Sequence, residues 1–110
     1  MSYYKGDVIL LSYPFTDLKV QKVRPAVVVS REEGKYNDIF IVSLTSKINN
    51  LAEGEFCLNN WAKAGLNVPT AVKRGCILID TDLVIKKIGH LVDADIVFIN
   101  KALKKWLDLE

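Results

Sequence analysis

Apolar and β-branched residues recur along the chain in short runs separated by polar turns, and this pattern predicts strands. The runs cover residues 7–12, 25–30, 38–45, 55–59, 70–79 and 83–90. The polar stretch YPFTDLKVQK, residues 13–22, predicts a loop or a wide hairpin turn. Because most of these runs follow one another without an intervening helix, we expect an antiparallel sheet rather than a parallel one.

Two segments have helical patterns. Asn60 can cap, and Gly65 can end, a helix of one or two turns over residues 60–65. A longer helix is predicted from Asp93 onward, where apolar residues recur at three- and four-residue spacing: Ile96, Ile99, Leu103 and Trp106/Leu107. The order of elements predicts a mainly β (α+β) fold, a small curved antiparallel sheet or barrel with a short mid-chain helix and a C-terminal helix packed on it.

Length and composition limit the classes of protein to consider. A chain of 110 residues is expected to form a single domain over residues 1–110. The net charge is only +2, so a binding site for an anionic partner would need local clustering of cations. No apolar run approaches the roughly 18 residues of a membrane helix, and the N-terminus lacks the order of a signal peptide. We therefore expect a cytoplasmic protein.

Cysteine and histidine are too few for a metal centre. Cys57 and Cys76 have no neighbouring His or Cys, which fits no zinc or redox motif, so both are expected to pack as small apolar residues. The one histidine, His90, excludes a site built on several imidazoles and is expected to be an exposed strand residue. No cofactor is expected.

Arg24 precedes Pro25 at the predicted entrance of the second strand. A guanidinium binds phosphate oxygens bidentately, so Arg24 is a candidate phosphate ligand, although it can equally pair with Asp17 or a carbonyl group. Thr45 and Ser46 close the third strand. Their hydroxyl groups can donate to a phosphate or simply begin a turn, and both interpretations stay open.

A set of short motifs spans nearly the whole chain. They are KGDVIL at residues 5–10, PFTDL at 14–18, RPAVVVS at 24–30, SLTS at 43–46, WAKAGL at 61–66 with Pro69, LVIKKIGHL at 83–91, and the final helix. Each is weak alone, but together, in this order and spacing, they resemble the MazF/PemK family of toxins from bacterial toxin–antitoxin pairs.

The resemblance implies a small SH3-like β-barrel that forms a homodimer. It also implies a metal-independent endoribonuclease that cuts single-stranded RNA, including mRNA, at short sequences. In such a reaction the 2′-hydroxyl of the RNA attacks its own phosphorus. The implied partner is an antitoxin with a disordered acidic tail that lies across the RNA groove.

The resemblance also implies roles for particular residues. Arg24 would stabilise the transition state, Thr45 would supply a catalytic hydroxyl that Ser46 can share, and Lys73 would occupy a basic position. The implied RNA-binding residues are Tyr13, Phe15, Lys19, Gln21 and Lys22. A simpler interpretation makes Phe15 a core residue and Tyr13 a half-buried strand end.

The general base is not assigned from the sequence. Gly75 falls near the position where many members of the family carry an acidic group. Asp80 and Asp82 either face one side of a strand or cap a tight turn. Two alternatives therefore remain: a catalytically weak member that binds RNA or antitoxin, and a CcdB-like topoisomerase poison. The chain of a CcdB-like poison is expected to end in Trp-Gly-Ile. This chain ends in WLDLE, so it matches the second alternative poorly.

Overall fold

The computed structural model describes residues 2–14, 21–32 and 34–109. Within these ranges seven strands precede one α-helix. The strands are β1 Asp7–Pro14, β2 Gln21–Val28, β3 Asp38–Thr45, β4 Phe56–Cys57, β5 Ala71–Val72, β6 Ile77–Asp80 and β7 Val84–His90. A 3₁₀ turn spans Thr81–Leu83, and helix α1 spans Asp93–Trp106.

All strand pairs are antiparallel, as the sequence predicts. The hydrogen-bonded order is β4-β5-β3-β2-β1-β7, and β6 pairs with the first half of β3. In the described part of the chain no pairing joins β7 back to β4, so the sheet is open rather than a closed barrel. The predicted mainly β architecture with a terminal helix is confirmed.

The sheet separates two apolar cores, because alternate residues of each strand point to opposite faces. Val27 and Val42 are directly opposed and belong to the helix-side core, which includes Ile99 of α1. Val28 and Ile41, the next opposed pair, belong to the second core on the other face. We call the sheet face that carries this second core the open face, since α1 lies against the other one.

Most strand boundaries differ by one or more residues from the sequence prediction, and two of these differences affect the candidate site. β2 begins at Gln21 rather than at residue 25, so Arg24 lies within the strand and not at its entrance. The run predicted as one strand over residues 70–79 is divided into β5 and β6. Gly75 lies between them with a φ of 142°, and the chain moves there from one end of β3 to the other.

The segment predicted as a short mid-chain helix forms consecutive turns instead. Asn60 does cap it, since its side-chain oxygen accepts from Lys63 N at 3.1 Å. Gly65 ends it with a φ of 91°. The prediction of a helix is wrong because the start and stop signals lie too close together for a hydrogen-bonded helix to propagate.

Two glycines let this turn segment pack closely on β7. A Cβ atom on Gly65 would overlap the carbonyl group of Ile88, and one on Gly89 would overlap the carbonyl group of Ala64. Asp95 of α1 also holds the turn segment through hydrogen bonds. Its fully buried carboxylate accepts from the main-chain N–H groups of Asn59 and Asn60, at 2.9 and 3.2 Å.

The cysteines do not behave as expected. Cys57 is exposed and Cys76 is only partly buried, so the prediction that both pack in the interior is wrong for Cys57. The reason is that β4, which carries Cys57, is a two-residue strand at the edge of the sheet. Within the described residues no helix is long and apolar enough to cross a membrane.

Replacing Gly65 with alanine should lower the free energy of unfolding by at least about 2 kcal/mol. The added methyl group would meet the Ile88 carbonyl group in a backbone conformation that disfavours L side chains. Urea unfolding followed by circular dichroism measures the change. Gly34→Ala is the matched control, because nothing lies within 4 Å of its Cβ position. Equal stability of the two variants would contradict the close packing at Gly65.

Candidate functional site

The candidate site begins where β2 and β3 stop pairing. The N–H of Val29 donates to the carbonyl group of Phe40 at 2.9 Å. Because alternate residues of a strand direct their main chain to the same neighbour, Val27 and Pro25 also face β3. Pro25 has no N–H to donate, and the register between the two strands ends at Ala26 opposite Ser43.

Beyond this point, Arg24 and Thr45 continue the two strands. The paired register, if extended by two residues, would place Arg24 opposite Thr45. Ser43 opposes Ala26 of the second core, so Ser43 and Thr45 both belong to the open face. Arg24 belongs to the same face, since it opposes the buried Leu11 of β1.

Lys73 reaches this face as the residue directly after β5. Its main-chain N–H donates to the carbonyl group of Ser43 at 2.9 Å, directly after the paired residues Val72 and Leu44. Lys73 and Arg24 are exposed, whereas Thr45 is partly buried. The structure thus brings Arg24, Thr45 and Lys73, three of the predicted catalytic residues, to one face of neighbouring strands.

The hydroxyl group of Thr45 also has a local structural role. Its oxygen accepts from Lys47 N at 3.1 Å, as in a turn that begins with threonine. The alternative of a turn-forming Thr45 is therefore correct for its local structure. The hydroxyl group keeps its own proton for donation, because the bond to Lys47 uses only a lone pair. Ser46, the next residue, is exposed.

The guanidinium group of Arg24 lies on the surface rather than in the interior. Among the residues that the structure describes, no carboxylate forms an ion pair with it. Asp17, the partner considered from the sequence, lies outside the described residues. As far as the described residues are concerned, the charge of Arg24 is available to an anion on the open face.

The structure reveals a carboxylate that the sequence analysis missed. Glu55 precedes β4, and its two oxygens accept from Ala52 N at 2.6 Å and Arg74 N at 2.8 Å. These hydrogen bonds, that of Arg74 first, lower the pKa of Glu55, and the charges of Lys73 and Arg74 lower it further. The sequence pattern indicates only that Glu55 begins a short strand over residues 55–59. The pairing of β4 with β5 is what brings it to Lys73.

The two aspartates considered as a possible general base lie elsewhere. Asp80 opposes Asp38, at the start of β3, whereas Thr45 ends that strand. At about 3.3 Å per residue the two ends are about 23 Å apart. The Asp80 carboxylate accepts from Asp82 N at 2.8 Å and caps the 3₁₀ turn. The interpretation of Asp80 as a turn cap is confirmed.

His90 is exposed on β7, as predicted, but its ring is tethered. Its Nδ1 atom lies 2.9 Å from Oδ1 of the buried Asp7. The other oxygen of Asp7 accepts from Tyr4 N at 2.9 Å and lies 3.5 Å from Lys87 Nζ. The GD pair of the KGDVIL motif therefore anchors the N-terminal turn at the start of β1, four residues before Leu11, which opposes Arg24.

The structure describes only some of the predicted RNA-binding residues. Phe15 and Lys19 lie outside the described residues, and Tyr13 and Gln21 are described as strand residues without their side chains. Lys22 is exposed on β2, two residues before Arg24, and therefore shares its face of the sheet. These assignments stay predictions.

A cavity of about 540 Å³ lies away from this site, beside the C-terminal end of α1. It is lined by Val29, Phe40 and Leu103 among others, and alternation along β2 and β3 places these two strand residues on the face opposite Arg24. In the described ranges no group of three His, Cys, Asp or Glu side chains is arranged to hold a metal ion.

Solved structures share the fold over nearly the full chain. The Mycobacterium tuberculosis toxin MazF-mt6 has a TM-score of 0.75 and 20% identity, covering 94% of this chain and 98% of that one. A mycobacterial endoribonuclease in complex with its cognate antitoxin has a TM-score of 0.75 and 18% identity, covering 97% and 96%. A MazE–MazF complex from Deinococcus radiodurans has a TM-score of 0.74 and 18% identity, covering 97% and 96%.

The family itself is shown by sequence. No curated protein is significantly similar to the chain. A family model described as the PemK-like, MazF-like toxin of type II toxin–antitoxin systems, however, matches residues 4–107. This match confirms the resemblance drawn from the motifs. With the fold and the Arg24–Thr45 face in place, the chain belongs to the PemK-like, MazF-like family of toxins of type II toxin–antitoxin systems.

Proposed function

We propose that this toxin is an endoribonuclease that cuts single-stranded RNA, including mRNA, at short sequences without a metal ion. The observation that carries the proposal is the shared open face of Arg24 and Thr45 beside the point where Pro25 ends the β2–β3 ladder. Two solved structures with the same fold bear the name endoribonuclease. In the cell the substrate would be met in the cytoplasm.

The proposed reaction needs no nucleophile from the protein. The 2′-oxygen of the RNA loses its proton and bonds to the adjacent phosphorus. The bond from phosphorus to the 5′-oxygen breaks, and that oxygen takes up a proton. The products carry a 2′,3′-cyclic phosphate and a 5′-hydroxyl group. The protein must therefore stabilise extra negative charge on the phosphorane oxygens and assist proton transfer.

Arg24 suits the first task. Its guanidinium group stays charged at physiological pH and matches two phosphate oxygens at once. The strand that carries it is held by the pairing with Leu11 of β1, so the charge extends from a rigid element. Preorganised contacts of this kind supply on the order of 3–4 kcal/mol of transition-state stabilisation.

Thr45, Ser46 and Lys73 complete the proposed site. The Thr45 hydroxyl group would donate to a phosphate oxygen or orient the leaving group, and Ser46 can share that role. Lys73, directly after β5, adds a second positive charge. Glu55 is not proposed as the general base, because a carboxylate whose pKa is lowered accepts a proton poorly at neutral pH.

The proposed partners are an antitoxin with a disordered acidic tail, single-stranded RNA and a second copy of the chain. Lys22, Gln21 and Lys19 would add contacts to the RNA backbone, and Tyr13 and Phe15 would stack on unpaired bases. A homodimer is supported by the directly opposed and exposed pair Phe40 and Leu78, with 46% and 52% of each residue accessible. Exposed apolar patches mark protein contacts.

Arg24→Ala should lower the rate of RNA cleavage by about 10²- to 10³-fold, because one charge-assisted contact to the transition state is lost. The assay incubates purified protein with a long single-stranded RNA in EDTA and maps the ends, which should carry 5′-hydroxyl groups. Arg31→Ala is the matched control, since Arg31 is an exposed arginine beyond the end of β2.

The outcomes of this assay separate the alternatives. RNA that is bound but stays intact would favour a binding-only toxin. Intact RNA together with inhibited DNA supercoiling would favour a topoisomerase poison. Equal loss of cleavage in the Arg24 and Arg31 variants would contradict the proposal that Arg24 in particular stabilises the transition state.

Thr45→Val should reduce cleavage about 10²-fold, whereas Thr45→Ser should retain most of it, because serine keeps the hydroxyl group. Valine also removes the acceptor of Lys47 N, so the free energy of unfolding is measured for both variants. A valine variant that is less stable but cleaves at the wild-type rate would show that Thr45 serves only the turn.

Sedimentation equilibrium should show a dimer for the wild-type chain and a shift toward monomer for Leu78→Glu, because a buried charge opposes association. Ile85→Glu is the matched control, since 52% of Ile85 is also accessible but it lies on β7. If both variants dimerise as the wild type does, Leu78 lies outside the interface.

A further inference from the structure

Glu55 is a fixed negative charge beside a basic site. β4 pairs with β5 through Phe56 opposite Val72 and Cys57 opposite Ala71. The next step of this register places Glu55 opposite Lys73, on the same open face as Thr45. A carboxylate in this position repels RNA phosphates, so the backbone of a bound RNA should follow Arg24 and Lys73, and a base should approach Glu55.

The free lone pairs of Glu55 define what it can bind. An ionised carboxylate has about four lone-pair sites, two on each oxygen. Ala52 N occupies a site on one oxygen and Arg74 N occupies a site on the other. One acceptor site therefore remains on each oxygen. The same hydrogen bonds lower the pKa of Glu55, so the carboxylate stays ionised and can only accept.

One remaining acceptor site on each of the two oxygens suits a ligand edge with two neighbouring donors. Unpaired RNA bases expose their Watson–Crick edges to protein side chains. Guanine presents two neighbouring donors there, N1–H and the N2 amino group. Adenine and cytosine place their amino group next to an acceptor nitrogen, and uracil places its single N–H between two carbonyl groups. Guanine is therefore the standard base that fits the remaining acceptors of Glu55.

We propose that Glu55 is a specificity-determining residue that accepts both hydrogen bonds from the Watson–Crick edge of a guanine flanking the cut. Two interstrand spacings of about 4.8 Å separate β4 from β3, so the guanine would lie about 10 Å from the Thr45 strand. The inference rests on the proposed endoribonuclease function.

The first test uses wild-type protein and short single-stranded RNAs whose scissile 2′-hydroxyl is replaced by hydrogen, so that binding is measured without cleavage. Fluorescence anisotropy compares RNAs with guanine or with inosine, which lacks the N2 amino group. Binding should weaken about ten-fold with inosine at one fixed position and stay unchanged at the others. This measurement does not depend on how any variant folds.

The second test exchanges the carboxylate. Glu55→Gln replaces one acceptor oxygen with an amino group and should reduce the preference for guanine over adenine by on the order of 5- to 100-fold. Glu53→Gln is the matched control. Glu53 belongs to the same loop, but its side chain is 79% accessible and forms an ion pair with Lys105 of α1. Its variant should keep the guanine preference.

The two proposals fail in different ways. Equal binding of guanine and inosine at every position, or an unchanged preference in Glu55→Gln, would overturn the role of Glu55. RNA cleavage would then still support the proposed function. If the wild type does not cleave RNA, the proposed endoribonuclease activity is overturned. A preference for guanine in the binding measurement would still support guanine recognition by Glu55.

Discussion

The missing N–H of Pro25 is the constraint on which the candidate site depends. β2 has hydrogen-bonded neighbours on both sides, and its main chain faces β3 at Val29, Val27 and Pro25 in turn. The ladder to β3 ends where proline cannot donate, while the ladder to β1 continues through Arg24 to Gln21. At Arg24, β2 is therefore paired with β1 but no longer with β3. The backbone of Arg24 is held on the β1 side, and its β3 side is unpaired.

The opposite face of the sheet keeps this arrangement rigid. Helix α1 fills the helix-side core, and its buried Asp95 fixes the turns at Asn59 and Asn60. The close approach of Gly65 and Gly89 then sets those turns against β7. A buried carboxylate is costly unless its partners are complete, so Asp95 specifies one position for this segment. The helix and the turns cover the other side, and the end of the open face that carries Arg24 and Lys73 remains accessible to a ligand.

The charges on the open face form a pattern rather than a uniform field. Arg24 on β2 and Lys73 directly after β5 supply the positive charge that would face a phosphate backbone. Glu55 sits next to Lys73 with both oxygens held by main-chain N–H groups. A net charge of +2 over the whole chain is too small to attract an anionic partner strongly at a distance, so the proposed RNA binding and base choice would depend on local geometry.

The sequence by itself determined the strand pattern, the terminal helix and the family, because alternation, helical spacing and motif order are local properties. β3 and the start of α1 were predicted at the residues where they occur. The tertiary structure decided what depends on pairing between distant segments. Arg24 reaches the face of Thr45 through strand register, and Glu55 reaches Lys73 through the two-residue pairing of β4 with β5. No local pattern reports such contacts, since register is fixed only when the whole sheet packs.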